Sequence, residues 1–447
     1  MTTVDPAEIE AAAETLTAVR GNLRAAADLA ALHTTQLLPS AADEVSTALT
    51  ALFNAHGQWY QQLAQTADER HQQFIRALSA AGDTYQQTEL TSAAAMGGSN
   101  QIAFIMGPTA LPNPTPAYLA EVDRMFIQPY FPGATPVGLP TPEQLTPLFG
   151  SMPLDRSIAI GLADLQSALA APLSTGQHAV VFGNSQSAMI ATEEIRSLMA
   201  AGAPDTHQLS FILAGNPNNP VGGLAERFTG GYIPGLGIPL NGATPPNSPY
   251  STWIFTNQYD GVADFPQYPL NLVSDANALA GIALGTHDYS GLSPLSGANA
   301  LALPTSPGYS GNTQYFMALT QNLPLVQPLR WLPSPYGNAI ADLLQPDLRV
   351  IVDMGYGSGE YANLPTPASL FEIPNPGAIL PALAHGAIQG PTAALVDLGL
   401  LPSTYYPMGQ YPFSPVLDPG LNFPISQTQV TGVSVLMGFE GSLARSL

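Results

Sequence analysis

Apolar residues recur at helical spacing through the first ninety positions of the chain. Leu16, Val19 and Leu23 fall three or four residues apart, a spacing typical of the buried stripe of an amphipathic helix. After the first helical turn, Pro39 is the only proline of this region, and glycine is rare. We therefore predict an all-α hairpin of two long helices joined by a turn at Pro39, the second helix extending over about residues 42–89.

Two helices alone cannot bury every apolar position of this hairpin. Their shared seam is narrow, and Trp59, Phe74 and Ile75 are left over. These side chains predict a further surface that covers them, which a second helix pair would provide. A coiled-coil spacer or a homodimer arm would meet the same need, and periodicity alone does not separate these alternatives.

Beyond a glycine-rich segment the pattern changes to short β-rich runs separated by helical ones. The strand-like runs lie at residues 102–106, 179–182, 209–213, 252–256 and 348–354, with helical patterns at 157–171 and 186–201. Strands that alternate with helices predict an α/β domain with a mostly parallel sheet. Past residue 300 the chain is rich in proline, and its pattern assigns no fold.

Composition and charge narrow the classes of function. The formal net charge of −21 argues against nucleic acid, which needs a basic footprint, and against docking on an anionic membrane. The chain has no cysteine, hence no disulfide and no thiolate metal site, and no motif predicts a cofactor. The first forty residues contain acidic residues and no apolar run, so we predict no cleavable signal peptide. No uninterrupted apolar stretch of about 18 residues exists, so we predict no transmembrane span.

One corner of the predicted sheet carries a candidate nucleophile. In a nucleophile elbow, Gly-x-Ser-x-Gly joins a strand to a helix, and small residues on either side of the serine allow a strained turn that exposes its hydroxyl. Gly183-Asn184-Ser185-Gln186-Ser187 follows a strand-like run and precedes a helical pattern, with a serine in place of the second glycine. We predict that Ser185 is a nucleophile. A purely structural turn is the alternative.

The acid and the base of such a site are expected after the serine, in that order. Asp260 lies at the carboxyl end of a predicted strand, where a carboxylate can orient an imidazole, and Asp264 is the alternative. His287 lies in a loop after a helical stretch and is the predicted base, with His385 as its rival. His207 falls where the next strand begins, at the opposite end of the sheet, which favours a structural role.

An acyl-transfer site also needs donors for the developing oxyanion. The backbone N–H of Gln186, directly after the nucleophile, is one candidate. The other is expected in the loop after the first strand, FIMGPTALPNP. Pro108 has no N–H, so the prediction falls on Thr109, through its amide and its hydroxyl. A plain turn residue in a proline-rich loop is the alternative for Thr109.

Both halves of the chain resemble one known family. Residues 1 to about 95 resemble the PE domain of mycobacterial proteins, most closely in TTQLLPSAADEVSTALTALFNAHGQWYQQL and RHQQFIRALSAAGDTYQQTE, although the name-giving Pro-Glu pair is interrupted by Ala7. Residues from about 102 to 330 resemble the PE-PPE domain. The landmarks of this second match are MGPTALPNP, FGNSQSA, GNPNNPVGGLAERF, QYDGVADFP and LPLVQPLR.

The resemblance to the PE-PPE domain implies an α/β-hydrolase fold related to cutinases and serine esterase activity on acyl esters. By this resemblance, Ser185 corresponds to the nucleophile of the family, Asp260 to the acid and His287 to the base. The Gly-Gly-Thr-Gly loop of the family is Gly-Pro-Thr-Ala here, which keeps the oxyanion role at Thr109 in a stiffer loop.

The resemblance to the PE domain implies a hairpin that pairs with a PPE-type helical protein and passes through type VII secretion machinery with its chaperone. The export signal of such proteins is Tyr-x-x-x-Asp/Glu at the end of the hairpin, and Tyr85 and Glu89 fit it. A solvated helix end is the alternative for this pair. The expected location is secreted or at the cell-envelope surface.

These expectations divide the chain into four parts. They are a PE hairpin at 1–95, a linker at 96–101, a hydrolase domain at 102–330, and a proline-rich extension at 331–447 packed on that domain. The expected function is a secreted or cell-surface serine esterase that hydrolyses lipid-type acyl esters through an acyl-enzyme. A catalytically weak surface or lipid-binding protein, or an acyltransferase with the same triad, is the alternative.

Overall fold

The structure is a computed structural model that divides into two compact units, Met1–Gly98 and Ser99–Leu447. Its described residues are 6–39, 41, 46–47, 50–51, 53–58, 60–62, 64–65, 67–68, 70–72, 74–75, 100–289, 300–357, 361–370, 376–405 and 430–446. Trp59, Tyr85 and Glu89 lie outside the described residues, so the predicted export motif has no structural account.

The first unit contains helix α1 (Pro6–Thr34) and a second helical segment over the described residues between 46 and 75. The two segments contact each other. Gln61 donates a hydrogen bond to the Ala27 carbonyl at 2.9 Å, and the Arg20 guanidinium holds both carboxylate oxygens of Asp68 at 2.6 and 2.8 Å. Phe74 is 57% exposed, but Val19 at 42% and Leu23 at 58%, which the sequence predicted for the buried stripe, are exposed as well.

The described residues of the second unit contain a seven-stranded sheet with the order β2-β1-β3-β4-β7-β9-β8. Its strands are β1 (Gln101–Ile105), β2 (Thr135–Gly138), β3 (His178–Asn184), β4 (Leu209–Ala214), β7 (Ser251–Asn257), β8 (Ala300–Ala302) and β9 (Thr313–Ala318). The pairings are parallel except for β8 with β9. Two short strands, β5 (Tyr232–Ile233) and β6 (Ile238–Pro239), form a separate antiparallel pair.

The helices of this unit cover the sheet and extend beyond it. They are α2 (Pro116–Val122), α3 (Leu154–Ser174), α4 (Gln186–Ala200), α5 (Leu224–Arg227), α6 (Leu272–Leu284), α7 (Tyr336–Asp353), α8 (Pro376–Asp397) and α9 (Gly432–Ser446). A π-helical turn (Asp123–Ile127) follows α2, and 3-10 helices lie at Pro324–Trp331 and Ser403–Tyr405. An α/β domain with a mostly parallel sheet agrees with the prediction from the sequence.

Both faces of the sheet are buried, because neighbouring residues of one strand enter different cores. In β3, Val181 packs in the core formed with α3 and α4, whereas Val180 and Phe182 pack in the core formed with α2 and the π-helical turn. A strand buried on both sides is apolar throughout instead of alternating. This explains why the central strands were visible in the sequence as continuous apolar runs.

The strand predicted at residues 348–354 is wrong, since these residues lie in and just after α7. Their β-branched side chains favour a strand locally. In the structure Arg349, Val350 and Val352 are all buried as part of a helix that packs along α8. The apolar surface offered by neighbouring elements overrides the local preference.

Two described helices are long and apolar enough to cross a membrane by length and composition, α3 and α8. In α3, Leu165 and Leu169 are buried in the core beside the sheet. A core helix of an α/β domain can have the same length and apolar composition as a membrane-spanning helix. Helix α8 packs along α7. The absence of a transmembrane span stays a prediction.

Candidate active site

Ser185 lies at the corner between β3 and α4, in a backbone conformation that non-glycine residues rarely adopt. Its φ is 57° and its ψ is −112°, the strained turn expected of a nucleophile elbow. Gly183 is required there, because a Cβ atom at that position would lie 2.5 Å from the Ser187 carbonyl oxygen. Ser187 also closes the turn: its hydroxyl accepts from the Asn184 N–H at 2.8 Å.

The structure brings together the three residues predicted as a triad. Nε2 of His287 lies 2.7 Å from Oγ of Ser185. Nδ1 of the same ring lies 2.8 and 2.9 Å from the two carboxylate oxygens of Asp260. A carboxylate accepts the Nδ1–H, which leaves Nε2 as the nitrogen able to take a proton from the serine hydroxyl.

Asp260 is fully buried and held by several donors. Its Oδ1 accepts the backbone N–H groups of Val262 at 2.9 Å and Ala263 at 3.3 Å. Its Oδ2 accepts the hydroxyl of Tyr289 at 2.7 Å. Donors of this kind offset the cost of removing a carboxylate from water.

The alternatives weighed for the acid and the base occupy other places. Asp264 accepts the N–H of Tyr259 at 2.8 Å and so stabilises the loop that contains Asp260, here called the acid loop. His385 lies on α8, and His207 lies in the turn before β4. It is His287 that contacts Ser185. In the part of the chain that the structure describes, no group of three or more His, Asp or Glu side chains is placed to hold a metal ion.

Opposing influences act on the proton affinity of His287. Burial lowers the pKa of this imidazole, but the charge of Asp260, the hydrogen bond to it and the charge of Asp288 together raise the pKa above its usual value. The ring therefore binds a proton more tightly than an ordinary histidine. That property suits a base that receives the proton of a serine hydroxyl.

The predicted oxyanion loop follows β1 and is shaped by close backbone contacts. A Cβ atom at Gly107 would lie 2.1 Å from the Leu111 carbonyl oxygen, so only glycine fits. Ala110 has a φ of 72°, and its N–H donates to the Glu143 carbonyl at 2.9 Å. The N–H of Leu111 donates to the Pro108 carbonyl at 3.0 Å, so Thr109 is one of the two central residues of a turn.

Thr109 and Gln186, the two predicted oxyanion residues, contact each other. The Thr109 hydroxyl donates to Oε1 of Gln186 at 3.0 Å. The Gln186 amide in turn donates to Oγ of Ser157 on α3 at 2.7 Å. The side chain of the residue after the nucleophile thus ties the oxyanion loop to α3.

A short apolar loop lies next to this hydrogen-bonded chain. The N–H of Gln144 donates to Oγ of Ser157, the atom that also accepts from Gln186. Beyond it, the backbones of residues 145 and 149 pair reciprocally at 2.8 Å. This pairing presents Leu148, 63% exposed, and Phe149, 48% exposed. Two large apolar side chains are therefore exposed to solvent four and five residues after Gln144, which is linked through Ser157 to the predicted oxyanion residue Gln186.

Comparison with known proteins assigns the chain to a family. The model of the PE family matches residues 2–92, and that of the PE-PPE domain matches residues 132–357. The chain belongs to the PE family and carries a PE-PPE domain. No solved structure matches it.

Its relatives are proteins of Mycobacterium tuberculosis. PE family protein PE3 is 48% identical over 442 residues, which cover 95% of this chain and 94% of the relative. Esterase PE16 is 42% identical over 409 residues, which cover 88% of this chain and 76% of the relative. The uncharacterized PPE family protein PPE28 is 40% identical over 307 residues, 67% of this chain and 46% of the relative. A similarity of this extent to a named esterase supports a hydrolase.

Two parts of the site in this PE-PPE domain were not visible in the sequence. Tyr289 follows the predicted base by two positions, and no spacing rule marks a tyrosine there as a partner of the acid. Ser157, in turn, is an ordinary helix residue until the fold places it beside Gln186. The residues that the sequence did predict for this site have a local motif or a definite place in a predicted strand or loop.

Proposed function

We propose that this PE-PPE protein is a serine esterase that hydrolyses lipid-type acyl esters through an acyl-enzyme intermediate. The observation that carries the proposal is the hydrogen-bonded line from Asp260 through His287 to Ser185, with 2.7 Å between Nε2 and Oγ. The relationship to a protein named as an esterase supports the same class of reaction.

Proton movement in the proposed reaction follows the hydrogen bonds. As Oγ of Ser185 attacks the ester carbonyl carbon, its proton passes to Nε2 of His287. Asp260 stays ionised and stabilises the imidazolium. The proton then goes to the departing alkoxide, which leaves as an alcohol. Water, activated by the same imidazole, releases the acid from the acyl-enzyme and restores the serine hydroxyl.

The oxyanion formed in each half-reaction needs donors on the far side of the carbonyl. We assign this role to the backbone N–H of Gln186 and to Thr109, through its N–H and its hydroxyl. In the structure the hydroxyl of Thr109 donates its one proton to Oε1 of Gln186, so it reaches the oxyanion only by turning away from that side chain, whereas a backbone N–H is fixed by the chain. Donors that are held in place before the reaction cost no reorganisation in the transition state.

The acyl part of the substrate is proposed from the apolar loop beside the oxyanion residues. Leu148 and Phe149 are exposed, and residues 144–154 carry no charge. An apolar acyl chain leaving the active site along this loop would bury these side chains, which favours longer chains by the hydrophobic effect. An acceptor alcohol in place of water would make the same triad an acyltransferase.

The triad is tested by single substitutions in the full chain. Ser185→Ala, Asp260→Asn and His287→Ala should each lower kcat by about two orders of magnitude or more, and a double variant should lose little beyond its worse single, because the three residues act as a unit. The measurement is hydrolysis of a soluble short-chain ester, with folding checked by circular dichroism. Ser167→Ala, on an exposed face of α3, is the matched control and should keep full activity.

Two further measurements separate this proposal from its alternatives. A serine-directed phosphonate should label Ser185; a folded protein that it does not label would favour a catalytically weak surface or lipid-binding protein. An ester series of increasing chain length, run with and without an added acceptor alcohol, distinguishes hydrolysis from acyl transfer by its products. Full activity of Ser185→Ala would contradict the proposal.

We further propose that the PE hairpin pairs with a PPE-type helical protein and directs the chain through type VII secretion to the cell envelope or medium. The exposed Phe74 and the PE family match support this part of the proposal. A co-expressed PPE-type partner should co-purify with the full chain, and Phe74→Ser should weaken that association.

A further inference from the structure

A tyrosine outside the triad holds the carboxylate of its acid. We propose that Tyr289 is a positioning residue for the reaction: its hydroxyl fixes the orientation of Asp260 and thereby of His287. This inference rests on the proposed esterase function.

The direction of the hydrogen bonds at this hydroxyl is determined by its partners. The oxygen of Tyr289 lies 2.7 Å from the backbone nitrogen of Asn257 and 2.7 Å from Oδ2 of Asp260. The Asn257 N–H can only donate, so the oxygen accepts there. The one proton of the hydroxyl therefore points to the carboxylate.

Tyr289 binds Oδ2 of Asp260, the carboxylate oxygen that receives no backbone N–H from residues 262 and 263. The backbone donors from Val262 and Ala263 both reach Oδ1, while Oδ2 receives Tyr289 and lies 2.9 Å from Nδ1 of His287. Donors on both oxygens stop the carboxylate from rotating about its Cβ–Cγ bond. A fixed carboxylate plane keeps the imidazole directed at Ser185.

Packing keeps the tyrosine ring in this position. Tyr289 is 1% exposed, and its ring meets that of His287 edge-on at 6.0 Å between centroids. Gly215, at the end of β4, makes room for both rings: a Cβ atom there would lie 2.6 Å from Tyr289 and 3.2 Å from His287. Burial and the charge of Asp260 also raise the pKa of the phenol well above its usual value, so the hydroxyl stays a donor.

The test compares two conservative variants of the full chain. Tyr289→Phe keeps the ring and removes the donor, so kcat should fall about tenfold or more, the range for loss of a hydrogen bond to a charged group, while KM stays unchanged because the hydroxyl lies behind Asp260. Tyr250→Phe is the matched control. Tyr250 is equally buried, but its ring lies in the core on the other face of the sheet and its hydroxyl donates to the carbonyl of Pro204 in an exposed turn. Loss of the Tyr250 hydroxyl should leave kcat unchanged.

A spectroscopic signature separates positioning from general packing. The deshielded proton resonance of the His287 Nδ1–H, hydrogen-bonded to Asp260, should shift or broaden in Tyr289→Phe and remain in Tyr250→Phe. Incorporation of para-aminophenylalanine at position 289 restores an N–H donor on the same ring and should recover part of the lost kcat. This variant also tests the idea if Tyr289→Phe fails to fold.

The result that overturns the inference is a folded Tyr289→Phe with wild-type kcat and an unchanged Nδ1–H resonance. Lost activity that para-aminophenylalanine does not restore, with the resonance intact, would also overturn it and leave Tyr289 as a core residue. These outcomes are distinct from failure of the esterase proposal, which is marked by an active Ser185→Ala.

Discussion

At the scale of single residues, burial lowers the pKa of His287, and the charge and hydrogen bond of Asp260 act against burial and raise it. The imidazole must be neutral to accept the serine proton, so kcat/KM should fall as the pH drops through the raised pKa of His287. In Asp260→Asn the charge that raises the pKa of His287 is lost, while burial still lowers that pKa. The fall of kcat/KM at acid pH, the acid limb of the profile, should therefore move to lower pH.

The measurement for this prediction is the pH dependence of kcat/KM for the wild type and for the residual activity of Asp260→Asn, with an NMR titration of His287 in both. Asp205→Asn, on an exposed turn, is the control and should leave the limb in place. A limb that stays where it was in Asp260→Asn would show that the carboxylate does not set the pKa of the base.

Thr109 offers a second test at the residue scale. Thr109→Val keeps the shape and the backbone N–H but removes the hydroxyl that contacts Gln186. If the hydroxyl donates to the oxyanion, kcat should fall about tenfold to a hundredfold with KM unchanged, because the interaction exists only in the transition state. Thr175→Val, at the exposed end of α3, should have no effect. Unchanged kcat would restrict the oxyanion role of Thr109 to its amide.

At the scale of elements, helix α7 supports the loop that carries the acid. Tyr259, directly before Asp260, has a φ of 65°. The Tyr259 hydroxyl donates to a carboxylate oxygen of Asp353 at 2.6 Å and accepts from the guanidinium of Arg349 at 3.0 Å. Arg349 also holds the carbonyls of residues 320 and 321, after β9. The helix thus joins the acid loop to the segment that follows β9.

This arrangement predicts a large cost for removing Arg349, which is 2% exposed. Burial raises the pKa of Asp353 to about 6, and Arg349 counters that rise. Arg349→Met removes the charge that counters this rise, together with the hydrogen bonds to the Tyr259 hydroxyl and to the carbonyls of residues 320 and 321. The free energy of unfolding should therefore fall by about 3–5 kcal/mol, and kcat should fall because the acid loop is loosened.

Chemical denaturation of the full chain, with kcat measured alongside, checks this prediction. Arg124→Met is the matched control: its side chain is 70% exposed and lies 3.9 Å from Glu121, so the change should stay within about 0.5 kcal/mol. Arg349→Met combined with Asp353→Leu should cost less than the sum of the single changes, because no carboxylate is then left without a cation. Strict additivity would show that the two residues are not coupled.

At the scale of the whole molecule, we propose that export and catalysis belong to different units. Tyr85 and Glu89 are four residues apart, so a helix would place them on one face. Tyr85→Ala combined with Glu89→Ala should stop export and leave the esterase rate of the purified protein unchanged. The neighbouring pair Gln86→Ala and Gln87→Ala is the control and should be exported normally.

The measurement is paired: the fraction of protein in the medium or cell envelope, and the rate per purified molecule. Normal export of the Tyr85/Glu89 variant would remove the signal role of this pair. Loss of its esterase rate would show that the two units are coupled.

Local patterns were sufficient where a single segment carries its own physical requirement. The nucleophile elbow is local, because the strand, the small residues and Ser185 must follow one another. The central strands are buried on both faces and are therefore visible as apolar runs. The order of acid and base along the chain limited the candidates to residues after Ser185. Their places in the predicted elements, a strand end for Asp260 and a loop after a helical stretch for His287, then favoured these two over Asp264 and His385.

Only the tertiary structure decided the features that depend on distant neighbours. Residues 348–354 have the side chains of a strand but become part of α7, because packing against α8 outweighs their local preference. Tyr289, Ser157 and Arg349 carry no motif, and their roles arise when folding places their polar atoms beside the acid, the oxyanion residue and the acid loop. A buried donor needs an acceptor, and that acceptor can lie far away along the chain, so the spacing of residues in the sequence does not identify it.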